Sequence, residues 1–464
     1  MMKHLLILSL NLGLLLSCQT PKQTTPSRPE IDALFEAYDK EDSPGFVLAI
    51  MQDGEITYQK GYGMANLDYG IPLSPSSVFR IASVSKQVTA ACIQLLALDG
   101  KLSLDDDVRD YFPKLPDYGH TVTIRHMIHH TSGIRDYVGL FYMAGFSDDD
   151  HYSDEELIEM VFRQKELNFP PGEDYLYCNS GYFLLGQIVE KVTGQNLREF
   201  AQERIFQPLG MENTHFHNNH KEVVANRATG YSPTKEGYDI SVTTLDMIGD
   251  GGVFTTVQDF AKWANNYEQL SVGGEDFLTA METRGILNSG DTLTYASGID
   301  VDTYRGLKTL SHGGAWVGYR TFFLRFPEEN TNIILFANRS DVWPGGFGWK
   351  VADILLADKM TAKEPEPERG DDQEEKERIT APYLKGLEGQ YYSEELDAYY
   401  TISWEEDTYQ FHLPRLQTGP IHADENGRMS IWNWITLDPV FEGGTLSGIK
   451  MGADRVKNIY LRKL

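Results

Sequence analysis

Three short motifs place a potential nucleophile and proton-transfer groups in one order along the chain. The first is Ser83-x-x-Lys86, the second is Tyr177-x-Asn179, and the third is H-G-G starting at His312. A serine hydroxyl can attack a carbonyl, and an amine and a phenol can move its proton. Glycines let the backbone of a ligand come close. These residue types together indicate a serine hydrolase that uses lysine and tyrosine in place of a Ser-His-Asp triad.

The S-x-x-K pattern occurs three times, starting at Ser83, Ser232 and Ser447, so its context must decide between them. Ser232 precedes a proline in a stretch typical of a loop, and Ser447 lies in a late segment rich in predicted strands. Only Ser83 opens a run, 88–96, whose apolar residues recur at helical spacing and which ends before Gly100. Ser83 is therefore the candidate nucleophile.

The position of Ser83 in the first turn of this predicted helix has chemical consequences. Free backbone N–H groups and the positive end of the helix dipole favour negative charge there. Lys86 is one turn further on and shares a face with Ser83, and burial would lower the pKa of its amine. The alternative is that Ser83 only caps the helix and that Lys86 is solvated.

The second and third motifs each occur once in the chain. Tyr177 and Asn179 lie between Pro171-Gly172 and an apolar helical pattern over 183–192, where polar side chains can point into a cleft. The alternative is a core tyrosine and a helix-capping asparagine. His312 precedes two strand-like runs, and a lone histidine is more often structural than catalytic. Its flanking glycines favour a functional site.

The chain resembles the serine beta-lactamase and penicillin-binding superfamily, in the class C-like branch (peptidase family S12), from about residue 31 to about residue 358. The three motifs carry this resemblance together with two further blocks. The block I-R-H-M-I-H-H-T-S-G-I occupies 124–134, and G-G-V-F-T-T occupies 251–256 with Asp259 after it. Five blocks in the family order make the resemblance specific.

The resemblance implies a role for each motif residue. Ser83 would form an acyl-enzyme, Lys86 and Tyr177 would move its proton, and Asn179 would hold the lysine and the substrate. Either Lys86 or Tyr177 could be the base. His312 would take part in substrate binding, at the position where many relatives carry the lysine of K-T-G.

The resemblance also places the backbone of Gly314 and Ala315 beside the substrate. The N–H groups of Ser83 and Ala315 would form an oxyanion hole. Because a histidine is a conditional cation whereas a lysine is a permanent one, D-amino-acid peptides or small esters are favoured over beta-lactams. Two alternatives stay open: a cell-wall-ligand binding or sensor protein with little turnover, and a true beta-lactamase or D-Ala-D-Ala carboxypeptidase.

These patterns predict an α+β fold followed by a small all-β domain. The catalytic domain, 31–360, would combine an antiparallel sheet flanked by helices with a helical subdomain. An acidic linker, 361–382, precedes alternating runs over 383–464 that resemble the lipocalin-like barrel of some relatives. An aromatic insertion, 137–146, would either wall the cleft or serve as ordinary surface packing.

The N-terminus predicts export and lipid attachment. A lysine, an apolar run and L-L-S before Cys18 resemble a lipoprotein signal, 1–17, followed by a tether, 18–30. Lipidation of Cys18 would make the protein an extracytoplasmic, membrane-anchored bacterial lipoprotein, periplasmic or at the cell surface. The alternative is an ordinary secretory signal.

Composition argues against several classes of function. A net charge of −27 disfavours nucleic acid as a partner, which leaves a small molecule or a peptide as the substrate. His126, His129 and His130 lack an H-E-x-x-H context and are interpreted as structural, so no metal or other cofactor is expected. Cys92 and Cys178 are interpreted as buried thiols, although a disulfide between them stays open.

Overall fold

The computed structural model describes residues 28–362 and 386–464, except for positions 406, 416–417, 424–427 and 433. The predicted signal 1–17, Cys18, most of the tether and most of the acidic linker lie outside the described residues. None of the described helices has the length and apolar character needed to cross a membrane.

The strands run, in chain order, as β1 (Phe46–Gln52), β2 (Glu55–Tyr62), β3 (Met64–Asn66), β4 (Ile71–Pro72), β5 (Phe79–Arg80), β6 (His215–Phe216), β7 (Tyr231–Pro233), β8 (Tyr238–Ile240), β9 (Val253–Thr255), β10 (Asp300–Tyr304), β11 (Leu307–Trp316), β12 (Tyr319–Phe326), β13 (Thr331–Ala337), β14 (Gly389–Ser393), β15 (Ala398–Glu405), β16 (Thr408–His412), β17 (Thr418–Pro420), β18 (His422–Ala423), β19 (Met429–Ile431), β20 (Ile435–Glu442), β21 (Thr445–Ala453) and β22 (Val456–Lys463). The α-helices are α1 (Pro29–Phe35), α2 (Lys86–Leu98), α3 (Val108–Tyr111), α4 (Ile124–Ile128), α5 (Tyr137–Met143), α6 (Asp154–Phe162), α7 (Asn179–Thr193), α8 (Leu197–Ala201), α9 (Val257–Gln269), α10 (Gly274–Glu282) and α11 (Pro344–Leu355).

The main sheet of the catalytic region joins the two ends of that region. Its order is β10-β11-β12-β13-β1-β2, and every neighbouring pair is antiparallel. Phe46 of β1 pairs with Ala337 of β13. Side chains that alternate along β1 and β13 enter two separate cores, one shared with α1 and α11 and the other with the helical part. The predicted α+β fold with an antiparallel sheet is confirmed.

The helical part packs around α2, whose residues from Lys86 to Leu96 are all buried. The sequence predicted a helix that opens at Ser83, but the chain first forms a 3-10 turn, Ala82–Ser85, and α2 begins at Lys86. A second difference concerns Ser232, predicted in a loop, which lies in β7 and pairs with β8. Cys92 and Cys178 are both free, buried thiols, as the sequence analysis favoured.

The C-terminal part is a nine-stranded antiparallel sheet that closes nearly into a barrel, with the order β17-β16-β15-β14-β22-β21-β20-β19-β18. Its first strand, β14, pairs with its last strand, β22. The predicted all-β barrel is therefore confirmed. Alternating residues of these strands, such as Tyr400 and Phe411, fill its interior.

The barrel packs directly on the helical part of the catalytic region. Arg135 donates a 2.5 Å hydrogen bond to Glu395 of the barrel, and both side chains are buried. The Tyr400 hydroxyl donates to the Met143 carbonyl at the end of α5. The insertion 137–146 thus packs against the barrel, while its first residue, Tyr137, also lines the cleft beside Ser83.

Candidate active site

The nucleophile turn is held in an unusual backbone conformation. Ala82, immediately before Ser83, has a φ of 48°, which a residue with a Cβ rarely adopts. The Thr321 hydroxyl donates to the Ile81 carbonyl at 2.8 Å, which ties this turn to β12. Ser83 is half-buried and lines a cavity of about 400 Å³. Strain of this kind is often found at functional sites and here presents the hydroxyl at the floor of the cleft.

Lys86 connects the nucleophile to the rest of the site. Its Nζ lies 3.2 Å from Ser83 Oγ and donates to Asn179 Oδ1 at 2.8 Å. A third hydrogen bond, of 2.6 Å, goes to the main-chain oxygen of Asp250. Burial lowers the pKa of Lys86 to about 8, against the opposing effect of the Asp250 and Asp136 carboxylates. A neutral Lys86 would keep two of these bonds as donor and use its lone pair for the Ser83 proton.

The Tyr177 ring lies against the amine of Lys86, but the Tyr177 hydroxyl holds its proton more strongly than that amine does. Lys86 Nζ is 4.7 Å from the centre of its ring. Its hydroxyl is buried and, within the described part of the chain, makes no hydrogen bond of good geometry. Burial raises its pKa well above the ordinary value, against the opposing effect of Ser83. The ring of His130 packs on it at 4.2 Å, which agrees with a structural role for that histidine.

Asp136 is a buried carboxylate that the sequence analysis did not single out. It accepts a 2.5 Å hydrogen bond from the Asn179 backbone and a 3.1 Å one from Val138, where it caps α5. Burial raises its pKa. Because Asn179 begins α7 and contacts Lys86 through its side chain, Asp136 fixes the asparagine that orients the amine.

His312 lies in the site but has little freedom to contact a substrate. Its Nδ1 is 2.6 Å from the Gly313 carbonyl, and its Nε2 is 3.0 Å from the Tyr295 hydroxyl. This pattern fits a neutral ring with Nδ1 as donor and Nε2 as acceptor. Burial lowers the pKa of His312 to about 3. The third motif therefore supplies no positive charge near neutral pH.

The glycine edge of the third motif does approach the nucleophile. A Cβ on Gly314 would lie 2.4 Å from the Ile81 oxygen and 3.2 Å from the Ser83 nitrogen, so only glycine fits. Strand β10 pairs with β11 only as far as Ser311. The edge of β11 that carries Ala315 thus lines the cleft, where the resemblance places its N–H.

Four charged residues outside the predicted set also line the cleft, namely Arg80, Asp250, Asp300 and Arg455. Asp250 precedes the G-G-V-F-T-T block, and Arg455 comes from the turn between β21 and β22 of the barrel. The Arg455 carbonyl accepts from Asn168 Nδ2 at 2.9 Å, and Lys457 N donates to Asn168 Oδ1 at 2.8 Å. Asp250 directly precedes a family block, which is a sequence signal that could have identified it as a candidate. No local sequence pattern sets Arg455 apart from other surface arginines.

The cleft thus gathers six of the seven predicted site residues of the hydrolase at its surface, with Lys86 buried just beneath Ser83. Those that line it are Ser83, Tyr177, Asn179, His312, Gly314 and Ala315. The remaining predicted modification site, Cys18, lies outside the described residues.

Comparison with known proteins places the chain among relatives of this architecture. A penicillin-binding protein of Bacillus subtilis is 30% identical over 382 residues, which cover 77% of this chain and 82% of the relative. A D-aminopeptidase of Gluconobacter oxydans is 28% identical, and the match covers 64% of this chain but only 56% of that protein.

A solved structure extends the likeness into the barrel. The octameric penicillin-binding protein homologue from Pyrococcus abyssi superposes with a TM-score of 0.64 at 25% identity and covers 93% of this chain and 98% of its own. The family description "Beta-lactamase" matches residues 31–356. The chain therefore belongs to the beta-lactamase family, as its motifs predict.

Proposed function

We propose that this protein hydrolyses an amide or ester through an acyl-enzyme on Ser83, and that its preferred substrates are small D-amino-acid amides or peptides. The observation that carries the proposal is the 3.2 Å contact between Ser83 Oγ and the buried amine of Lys86, whose pKa is lowered to about 8. Such an amine is a base of suitable strength near neutral pH.

The opposite pKa shifts of Lys86 and Tyr177 suggest which proton transfer each residue performs. A neutral Lys86 would take the proton as Ser83 Oγ attacks the carbonyl carbon. Tyr177, whose pKa is raised by burial, would stay protonated and pass a proton to the leaving group while Lys86 replaces it. The backbone N–H groups of Ser83 and Ala315 would bind the oxyanion, and water would then hydrolyse the acyl-enzyme by the reverse proton movements.

Two observations support the choice of substrate class. The neutral His312 does not offer the permanent cation that a K-T-G lysine gives to the carboxylate of a beta-lactam. The sequence relatives include D-aminopeptidases. We therefore expect slow turnover of nitrocefin.

A second candidate, a D,D-carboxypeptidase, is favoured by Arg455. Its guanidinium is a permanent cation at the cleft and could bind the free carboxylate of a peptide that ends in D-Ala-D-Ala. This candidate requires an N-blocked substrate to be cleaved well, whereas the first does not.

A substrate screen of the purified full chain tests both candidates. The panel contains D- and L-aminoacyl p-nitroanilides, p-nitrophenyl acetate, an N-acetylated peptide ending in D-Ala-D-Ala, and nitrocefin, with Ser83→Ala as control. Ser83-dependent release of p-nitroaniline from D- but not L-substrates supports the first candidate. Turnover that survives Ser83→Ala, or faster hydrolysis of nitrocefin than of all amides, would refute it.

On sequence grounds alone, we also propose that Cys18 carries a lipid and anchors the enzyme outside the cytoplasm. A Cys18→Ser variant should move from the membrane fraction to the soluble fraction after expression in a bacterium. An unchanged distribution would contradict the anchor.

A further inference from the structure

Asp250 is fixed next to the catalytic groups by its backbone. Its main-chain oxygen accepts a 2.6 Å hydrogen bond from Lys86, which in turn contacts Ser83. The residue is half-buried and lines the same cleft as Ser83. Its position is therefore defined relative to the carbonyl that the serine attacks.

The carboxylate of Asp250 has more acceptor capacity than it uses. Its Oδ2 accepts one hydrogen bond, of 2.8 Å, from the buried hydroxyl of Tyr137. Among the ion pairs of the described residues, no Lys, Arg or His lies within 4.0 Å of it. An ionised carboxylate can accept about four hydrogen bonds, so this one is oriented by Tyr137 and open to a donor in the cleft.

We infer that Asp250 binds the α-ammonium group of the substrate, which makes the enzyme selective for an unblocked amino-terminal residue. This inference rests on the proposed function, because it concerns the acyl half of the same amide. In such a substrate only one carbon separates the ammonium group from the carbonyl under attack. The group that recognises it must therefore lie beside the nucleophile, as Asp250 does through Lys86.

The charges around the cleft agree with this assignment. Two of the other charged side chains that line it, Arg80 and Arg455, are cations and would repel an ammonium group. The third, Asp300, is a carboxylate at the start of β10 that accepts a hydrogen bond from the Thr294 hydroxyl. Asp136 is occupied by backbone N–H groups at the starts of α5 and α7. Asp250 is thus the carboxylate lining the cleft whose own main chain contacts Lys86, which places it beside the nucleophile.

A competing explanation is that Asp250 acts only on Lys86, since its negative charge favours the protonated amine. Three p-nitroanilides separate the two explanations: those of D-phenylalanine, N-acetyl-D-phenylalanine and 3-phenylpropanoic acid. The third lacks the amino group without adding bulk. An effect through Lys86 changes kcat/KM for all three alike, whereas recognition of the ammonium group changes only the first.

We expect the wild-type protein to cleave the D-phenylalanine substrate about 10- to 100-fold more efficiently than the 3-phenylpropanoyl one. This ratio corresponds to the free energy that a hydrogen bond between charged groups usually contributes. Asp250→Asn keeps the shape and the Tyr137 contact and should lose most of this ratio. Its kcat/KM for the 3-phenylpropanoyl substrate, taken at the pH plateau, should change less than about threefold.

Asp246→Asn is the matched control, because the Asp246 carboxylate lies on the same segment but contacts His220 and lines a different cavity. It should leave the ratio unchanged. An equal loss on all three substrates in Asp250→Asn overturns the inference. So does a wild-type ratio near one, which is informative even if the variant does not fold. If Ser83-dependent turnover is found with none of the amides or esters of the substrate screen, the proposed function itself fails.

Discussion

The guanidinium carbon of Arg455 lies 4.8 Å from the centre of the Tyr177 ring. One residue belongs to the C-terminal barrel and the other to the catalytic region, so the barrel contributes directly to the surroundings of the proton-transfer groups. The positive charge of Arg455 lowers the pKa of both Lys86 and Tyr177, although burial has the largest effect on each. Asn168 anchors the main chain of Arg455, and Arg455 Nε lies 3.3 Å from the Asp454 carboxylate.

Replacement of Arg455 by methionine should therefore shift the pH dependence of the enzyme. The pKa of Lys86 rises when the neighbouring cation is removed, so the acidic limb of the kcat/KM profile moves to higher pH. Activity at pH 7 should fall a few-fold for this reason alone. Arg455→Lys should restore the wild-type midpoint, and an unchanged profile in the methionine variant would contradict the electrostatic role.

The wild-type pH profile should reflect Lys86. If the neutral amine is the base, kcat/KM rises as the pH increases and reaches half of its plateau near pH 8, the value to which burial lowers the pKa of Lys86. Protonation below that pH removes the base. Lys86→Met should reduce kcat by about 10³-fold or more and abolish this limb. A profile with its midpoint at an ordinary lysine pKa would argue against Lys86 as the base.

The hydroxyl of Tyr177 can be removed with little change to its surroundings. Its ring packs against His130 and the amine of Lys86, and its hydroxyl lacks a good hydrogen bond within the described structure. Tyr177→Phe should keep the melting temperature while lowering kcat by about 10²- to 10⁴-fold, the usual contribution of a proton-transfer group. Equal kcat in the variant and the wild type would exclude the hydroxyl from catalysis.

The ion pair between Arg135 and Glu395 should stabilise the docked barrel. Both side chains are buried, so Glu395→Ala leaves an uncompensated guanidinium and should cost about 3–5 kcal/mol of unfolding free energy, measured by urea denaturation. The neighbouring Glu394 pairs with Lys165 on the surface, and Glu394→Ala should leave the urea midpoint nearly unchanged. Similar midpoints for the two variants would refute the prediction.

The sequence predicts those parts of the site that lie within local patterns. The strands β12 and β13 follow from the strand-like runs after His312, and the buried face of α7 follows from helical spacing; the structure contains all of them. The role of His312 could not be predicted in the same way. Whether the His312 ring can contact a substrate depends on Tyr295, whose hydroxyl is hydrogen-bonded to Nε2 of that ring and which belongs to no motif.

The position of Arg455 at the cleft is even harder to predict from a local sequence pattern. Its place at the cleft depends on how the barrel docks, which is decided by contacts such as those of Asn168 and Glu395 between distant parts of the chain. Asp250 and Asp136 were missed for a different reason. Both lie within two residues of recognised blocks, but a single carboxylate near a glycine or a helix start has many structural explanations.

The pairing of Phe46 in β1 with Ala337 in β13 has a consequence for how the enzyme is made. During synthesis β1 leaves the ribosome long before its partner, so the main sheet must wait until nearly the whole hydrolase has been translated. Contacts that are distant in sequence slow folding, because a long loop must close before they form. The nascent chain therefore carries an apolar strand with only β2 beside it for most of translation, and we expect it to depend on chaperones until β13 emerges.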